Sequence, residues 1–274
     1  MNRIAEKKQP RRINIIGIGL GSPGHLTGDA VAAMRDVDVF IIPDKGELKH
    51  DLVEARKAVC ETYLEPGSYR FVTVADPVRP PDAKYGTADY RANVQAWREE
   101  RSRRYIAILN DMPPDKVAGF LVWGDPAFYD GSTGIVQEIG RHVPVDVRVI
   151  PGISAIQALA AESRLVLNRV ASPVHITTGR RLPQEWSQEL GTVVVMLDRG
   201  LSCRELVERA PDLEIVWGAY LGLPYQVLRR GRLADIIDAL IAERERLRTV
   251  HGWIMDTYIL FGKESGDGAP PPEM

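Results

Sequence analysis

Two cysteines in 274 residues, Cys60 and Cys203, are too few for a disulfide framework or a Cys-based zinc site. No metal site is expected, and a thiol-poor chain of this kind fits a reducing, cytoplasmic compartment. An excess of one charge is also missing. Lys+Arg 35 against Asp+Glu 37 leaves a formal charge of -2, so there is no global basic field to attract nucleic acid, and an anionic ligand must be met by local arginines. Long apolar runs are absent too: no segment approaches the roughly 20 residues of a membrane span, and the opening MNRIAEKKQPRR lacks the apolar stretch of a signal peptide. Neither a nucleic-acid nor a membrane partner is expected. What the chain does have is 45% hydrophobic residues, enough for the core of one large domain or two ordinary ones.

Strand-like runs at Ile13–Ile18, Val37–Ile42, Val117–Trp123 and Val145–Ile150 alternate with helical stretches. The helices are one opened by Thr27 as N-cap, then Leu48–Tyr63, Arg91–Met112 and Gly134–His142. That alternation predicts a mainly parallel α/β domain over 13–150, after a flexible tail of 1–12. Glu65–Tyr90 is rich in Pro, Gly and Asp and reads as a long loop. The second half mixes strand candidates (Val174–Thr178, Thr192–Leu197, Glu214–Leu221, Tyr225–Leu228, Trp253–Phe261) with helices at Ser154–Glu162, Arg204–Arg209 and Leu233–Leu247. This predicts a mixed-sheet α+β domain over 151–263 in which some strands pair antiparallel, followed by a disordered tail of 264–274.

Gly19, Gly21 and Gly24, after a strand and before a helix, satisfy the dinucleotide fingerprint G-x-G-x-x-G literally, and Asp44 lies 20 residues beyond Gly24. Two details oppose a phosphate cradle. Pro23 removes a backbone N–H where donors are needed, and His25-Leu26-Thr27 delays the helix start. A tight structural turn and a ligand contact both remain open.

Three further segments accompany this loop: Trp123-Gly124-Asp125-Pro126-Ala127-Phe128-Tyr129, Val149-Ile150-Pro151-Gly152-Ile153-Ser154-Ala155, and TVVVMLD at Thr192–Asp198. In this order and spacing, over about residues 13–262, the set resembles the tetrapyrrole methylase family. The resemblance implies an α/β fold of two domains, a usual homodimer, and S-adenosylmethionine bound in a cleft between the domains and released as S-adenosylhomocysteine. It also implies that the early glycine loop borders this cleft instead of binding phosphate. The family loop usually reads G-x-G-P-G, so Ser22 before Pro23 is a departure. INIIGIGLGSPGHLTGDAV, VDVFIIPDKG and the arginine-rich stretch before GDP are most similar to a deacetylating branch serving aerobic cobalamin biosynthesis. That branch methylates C1 of precorrin-5 and releases an acetyl unit as acetate.

By this resemblance the cofactor-binding residues are Pro23, Trp123, Gly124, Asp125, Phe128, Ser154, Ala155, Met196, Leu221 and Gly222. Several have a plainer reading. Asp125 caps a strand-ending turn, Ser154 is a helix N-cap, and Phe128 and Met196 are core residues. Methyl transfer to a ring carbon needs proximity more than a strong base. Acetate release asks for an acid/base group, for which Asp125 is the first candidate and Asp130, Tyr85, His25 and His175 are others. His175, in an apolar strand, reads better as a satisfied structural histidine. Tyr85, Arg180 and Arg181 are candidates for holding the carboxylates of a tetrapyrrole substrate. Arg98, Arg101, Arg103 and Arg104 read better as a solvated helix face with Glu99 and Glu100 as i,i+4 partners. A different methyl acceptor, a nicotinamide-linked oxidoreductase built on the glycine fingerprint, and a non-catalytic tetrapyrrole carrier are the competing readings.

Overall fold

The opening run Arg-Arg-Ile-Asn-Ile-Ile-Gly, followed by Ile18, places isoleucines on both faces of one strand, as a central strand of a covered sheet requires. In the computed structural model, which describes residues 9–44, 50–77, 88–168 and 170–261, this run forms β1 (Arg11–Gly17). Ile13 and Ile15 face one hydrophobic cluster, Ile16 and Ile18 the other. The chain divides into two compact units at Ile153/Ser154.

The first unit holds α1 (Gly28–Arg35), β2 (Val39–Asp44), α2 (His50–Tyr63), β3 (Arg70–Ala75), α3 (Ala88–Asp111), β4 (Val117–Val122), α4 (Ser132–Gly140) and β5 (Val145–Ile150). Its five strands run parallel in the order β3-β2-β4-β1-β5. Buried residues of α1 and α2, including Met34, Val59 and Cys60, pack on one face, while Tyr105 and Leu109 of α3 and Ile135 and Ile139 of α4 cover the other. β4, Val-Ala-Gly-Phe-Leu-Val, is buried throughout its length, which its unbroken apolar run demands. The Thr27 cap holds as expected: its hydroxyl oxygen accepts the Ala30 amide at 3.1 Å.

Glu65–Tyr90 is not one long loop. β3 lies inside it and pairs with β2 as an edge strand, Val39 opposite Arg70 through Asp44 opposite Ala75. Phe71, Val72, Thr73 and Val74 supply the β-branched and aromatic residues a strand needs. The turn residues on either side, Pro66-Gly67 and Asp76-Pro77, obscure so short a run. Residues 78–87, Tyr85 among them, lie outside the described residues.

The second unit contains α5 (Ala155–Glu162), β6 (Val174–Thr178), α6 (Leu182–Glu185), β7 (Thr192–Met196), β8 (Glu214–Ala219), β9 (Val227–Arg232), α7 (Leu233–His251) and β10 (Asp256–Phe261). Its sheet order is β6-β7-β10-β8-β9. β6 and β7 are parallel, whereas β10 runs antiparallel to β7 and β8, and β8–β9 is a hairpin. Trp217, Tyr258, Leu240 and Leu206 anchor one face, and α5 packs against β10. Two expectations shift. The last strand of the hairpin is Val227–Arg232 and not Tyr225–Leu228, because its outward arginines suit an edge position that apolar patterning does not reveal. Arg204–Arg209 is no α-helix; a short 3-10 segment, Ser202–Leu206, stands there. Among the described residues no helix is long and apolar enough to cross a membrane.

Candidate active site

β4, β1 and β5 end level with one another: Gly17 lies opposite Val122, and Ile16 opposite Ile150. The loops after the neighbours β1 and β4 lead to helices on opposite faces of the sheet. Such a divergence at the carboxyl edge marks the place where parallel sheets bind ligands. Here the two loops are stitched together. Gly19 N–H donates to Gly124 O at 3.3 Å and Gly124 N–H donates to Gly19 O at 2.7 Å. The third loop joins through Asp125, whose Oδ2 accepts the Gly152 amide at 2.8 Å and whose Oδ1 accepts the Ala127 amide at 2.7 Å.

Glycine is required at this junction by contact distance. A Cβ at Gly152 would stand 2.2 Å from Gly124 O and within 2.8 Å of Gly17 backbone, and one at Gly17 would stand 2.6 Å from Gly152 N. The GxG, GDP and PGI motifs therefore occur together because their backbones touch. The same geometry removes the phosphate cradle. The Gly19 amide is spent on Gly124, α1 begins only at Gly28, and the Pro23 carbonyl accepts the Tyr63 hydroxyl at 2.8 Å.

Around the junction stand groups suited to a polar ligand. Trp123 Nε1 and His25 Nδ1 are buried and have no hydrogen-bond partner among the described residues. An unsatisfied buried donor costs about 1–3 kcal/mol, so an acceptor on a bound ligand would relieve the Trp123 indole. Phe128 is half-buried and Pro23 exposed. Tyr129 closes the loop in the left-handed region, φ 54°, a conformation that costs a non-glycine residue about 1–3 kcal/mol and clusters at functional sites. Asp130 lies just before the next helix, its Oδ1 accepting the Ser132 amide at 2.7 Å.

In the second unit, Ser154 is 2% exposed and forms a capping box with Gln157: Ser154 N–H donates to Gln157 Oε1 at 2.8 Å, and the Ser154 hydroxyl meets the same oxygen at 2.5 Å. Its hydroxyl is thus already engaged, and Ala155 begins the helix beside it. The Gly222 amide donates to Gln226 Oε1 at 2.8 Å, and Gln226 is held in turn by Glu162. Leu221 is buried and Met196 half-buried. Of the arginine pair, Arg181 is tied to Glu185 on its own helical turn, while Arg180 lines a shallow pocket with Arg199 and Arg204 after β6 and β7. His175 is partnered as expected, with Nε2 3.4 Å from Glu185 Oε2. The Thr177 hydroxyl, donating to the same carboxylate, outweighs desolvation and with Arg181 and His175 holds Glu185 below its ordinary value.

Three features were not read from the sequence. Arg101 is not on a solvated face; it is 8% exposed, paired to Asp76 at 3.0 Å and set over the rings of Trp97 and Tyr105. Arg103 and Arg104 do pair on the surface, both with Glu100. Asp198, the last residue of TVVVMLD, receives Ser202 Oγ and Tyr258 OH, each at 2.6 Å, together with the Gly200 and Ser202 amides. Burial pushes its carboxyl up, but these donors win and hold it below the usual range. Behind it, Arg244 forms a buried ion pair with Asp256 at 2.8 Å and donates to the carbonyls of Asp198 and Arg199. Burial pushes both the Cys60 and Cys203 thiols up to about 12.

Residues 12–237 match the family model described as Tetrapyrrole (Corrin/Porphyrin) Methylases. The chain is 40% identical over 253 residues to a precorrin-6A synthase [deacetylating] of Sinorhizobium sp, covering 91% of this chain and 95% of that protein. A crystal structure of a cobalamin synthesis related protein, CobF, from Corynebacterium diphtheriae superposes with TM-score 0.79 at 35% identity, covering 92% of this chain and 98% of that one. The fold is shared more distantly by a uroporphyrin-III C-methyl transferase from Thermus thermophilus complexed with S-adenyl homocysteine, with TM-score 0.59 at 18% identity over 91% of this chain and 92% of the other. With most of its length matched by the family model and three of the four motif segments joined at one glycine junction, this chain belongs to the tetrapyrrole (corrin/porphyrin) methylases.

Proposed function

We propose that the chain is an S-adenosylmethionine-dependent C-methyltransferase of aerobic cobalamin biosynthesis that methylates precorrin-5 at C1 and releases acetate, giving precorrin-6A. The observation that carries this reading is the 40% identity to a precorrin-6A synthase [deacetylating] across nearly the whole of both chains. When bound, S-adenosylmethionine supplies an electrophilic methyl group. The residues proposed to hold it are Pro23, Trp123, Gly124, Asp125, Phe128, Ser154, Ala155, Met196, Leu221 and Gly222. The buried Trp123 indole N–H fits such a ligand, since it needs an acceptor that the described residues do not provide.

The protein's own part is to bind, position and exclude water. Holding the acceptor carbon and the methyl group at contact distance is worth several kcal/mol, roughly 7–11 at the extreme. Asp125 uses both carboxylate oxygens on backbone amides, so its contribution is to fix the GDP turn against the PGI turn, while Ser154 contributes close approach at a helix start. Arg180, Arg181 and Tyr85 are proposed to meet substrate carboxylates. The reading extends to a cytoplasmic homodimer. Incubation with precorrin-5 and S-adenosylmethionine, followed by mass spectrometry, tests it: one methyl gained and one acetyl unit lost as acetate are expected. Methyl gain without acetate loss would refute the deacetylating assignment, and no methyl gain would refute the acceptor.

A further inference from the structure

A cavity of about 260 Å³ lies in the first unit at the carboxyl ends of β2 and β4. Three arginines from two helices line it: Arg56 of α2, and Arg98 and Arg101 of α3. Arg56 is fixed by donating from Nε to Leu121 O at 3.1 Å. Arg101 is fixed by Asp76 and by the ring of Trp97, 5.0 Å from its guanidinium carbon. The start of α4 adds Asp130, Gly131 and Ser132 to the wall, with the Asp130 carboxylate already seated on the Ser132 amide. The strained Tyr129 stands at the same wall, so the loop that begins with Trp123 and Gly124 ends in this cavity.

Among the described residues, three guanidiniums of this cluster face two carboxylates: Asp76 pairs with Arg101, and the Asp130 charge acts on Arg56. Burial lowers the Arg56 guanidinium below its ordinary value and Asp130 opposes that shift, so an added anion would be favourable there. The volume sets the ligand's size. It is below the roughly 300–1,000 Å³ of sites that enclose drug-sized molecules, so a macrocycle cannot enter, but a short carboxylate can.

We propose that this cavity is a receptor for a short-chain carboxylate, either a carboxylate arm of the substrate or the acetate set free in the reaction, gripped by Arg56, Arg98 and Arg101. The identity of the ligand rests on the corrin-pathway reading; the anion site itself rests on the cavity and its arginines.

Calorimetric titration of the full chain with a porphyrin octacarboxylate and with sodium acetate tests the proposal, with S-adenosylhomocysteine titrated alongside. Arg98→Gln, whose side chain is exposed and not needed by the core, is expected to weaken the carboxylate ligand roughly ten- to a hundredfold, the worth of a charge-assisted hydrogen bond. Asp130→Asn keeps an oxygen acceptor for the Ser132 amide but removes the opposing charge, and is expected to tighten binding severalfold. Arg103→Gln, on the same helix but 72% exposed in its side chain and paired to Glu100, is expected to change nothing. Damage to folding cannot move Arg98→Gln and Asp130→Asn in opposite directions. Weakening of the octacarboxylate assigns the cavity to a substrate arm, and weakening of acetate alone assigns it to the released product. Unchanged affinity for both ligands in Arg98→Gln and Asp130→Asn overturns the receptor. Failure of the wild-type chain to bind S-adenosylhomocysteine would instead overturn the methyltransferase reading, with the carboxylate titrations still deciding the pocket.

Discussion

Replacing Gly152 by alanine tests whether the glycine junction is what builds the site. The new methyl would lie 2.2 Å from Gly124 O, in the loop after β4, and 2.7–2.8 Å from the carbonyl carbon and Cα of Gly17, the last residue of β1, all of them backbone atoms. None can move aside as the tip of a side chain can. Relief must come from displacing the PGI turn, which also breaks the hydrogen bond from the Gly152 amide to Asp125 Oδ2. Overpacking costs about 1–3 kcal/mol, and a hydrogen bond to a carboxylate is worth about 1.5–3 kcal/mol, so a loss of about 2.5–6 kcal/mol is expected. Urea unfolding followed by far-ultraviolet circular dichroism measures it, and calorimetry with S-adenosylhomocysteine is expected to show affinity falling in parallel. Gly134→Ala, inside α4 with open space around its Cβ, is the control and is expected to gain up to about 1 kcal/mol. A Gly152→Ala protein with an unchanged urea midpoint and unchanged ligand affinity would refute the reasoning, because the contact would then not be there.

Asp125→Asn presents an amide where two backbone N–H groups now donate, so stability and cofactor affinity are expected to fall together, by about 1–3 kcal/mol in stability; loss of turnover with both intact would mark Asp125 as an acid or base instead of a brace. Arg244→Met strands the buried Asp256 carboxylate, which also receives Trp217 Nε1 at 3.0 Å, and is expected to cost about 3–5 kcal/mol in urea unfolding, with the double variant Arg244→Met/Asp256→Leu recovering much of it. Asp198 is held below its ordinary value; the stability it contributes is complete above the usual carboxylate range near about 3.9 and is lost as pH falls through its folded value. Asp198→Asn is therefore expected to flatten the acid limb of a Tm-against-pH curve, and an unchanged acid limb would count against the hub.

Much of the fold could be read because apolar runs were bounded by turn residues. β5 and β6 fall on the residues their patterning indicates, and Thr27 and Ser154 mark helix starts because an N-cap is a local event. β3 escaped because its signal spans six residues and its neighbours are turn formers. Arg101 escaped because α3 carries charges all round, so nothing local distinguishes the arginine that Asp76, Trp97 and Tyr105 enclose. Asp198, Tyr258, Arg244 and Asp256 are joined only where α7 packs on the sheet, across distances in the chain that no spacing rule covers. The motif glycines could be found in the sequence, but their reason could not. Taken alone, Gly19, Gly21 and Gly24 suggest a phosphate, and only the pairing of Gly19 with Gly124 shows where the amide goes.

That pairing also constrains how the protein comes into being. The junction draws on residues at the start, the far side and the end of the first unit, so it cannot close until β5 and the turn carrying Gly152 have been made and docked beside β1. Chain growth at about 5–20 residues per second leaves β1 waiting several seconds for its partners. Until β4 is made its run of isoleucines is an unpaired strand in need of protection, its other edge stays open until β5 follows, and no shorter N-terminal fragment of the unit can hold the completed junction.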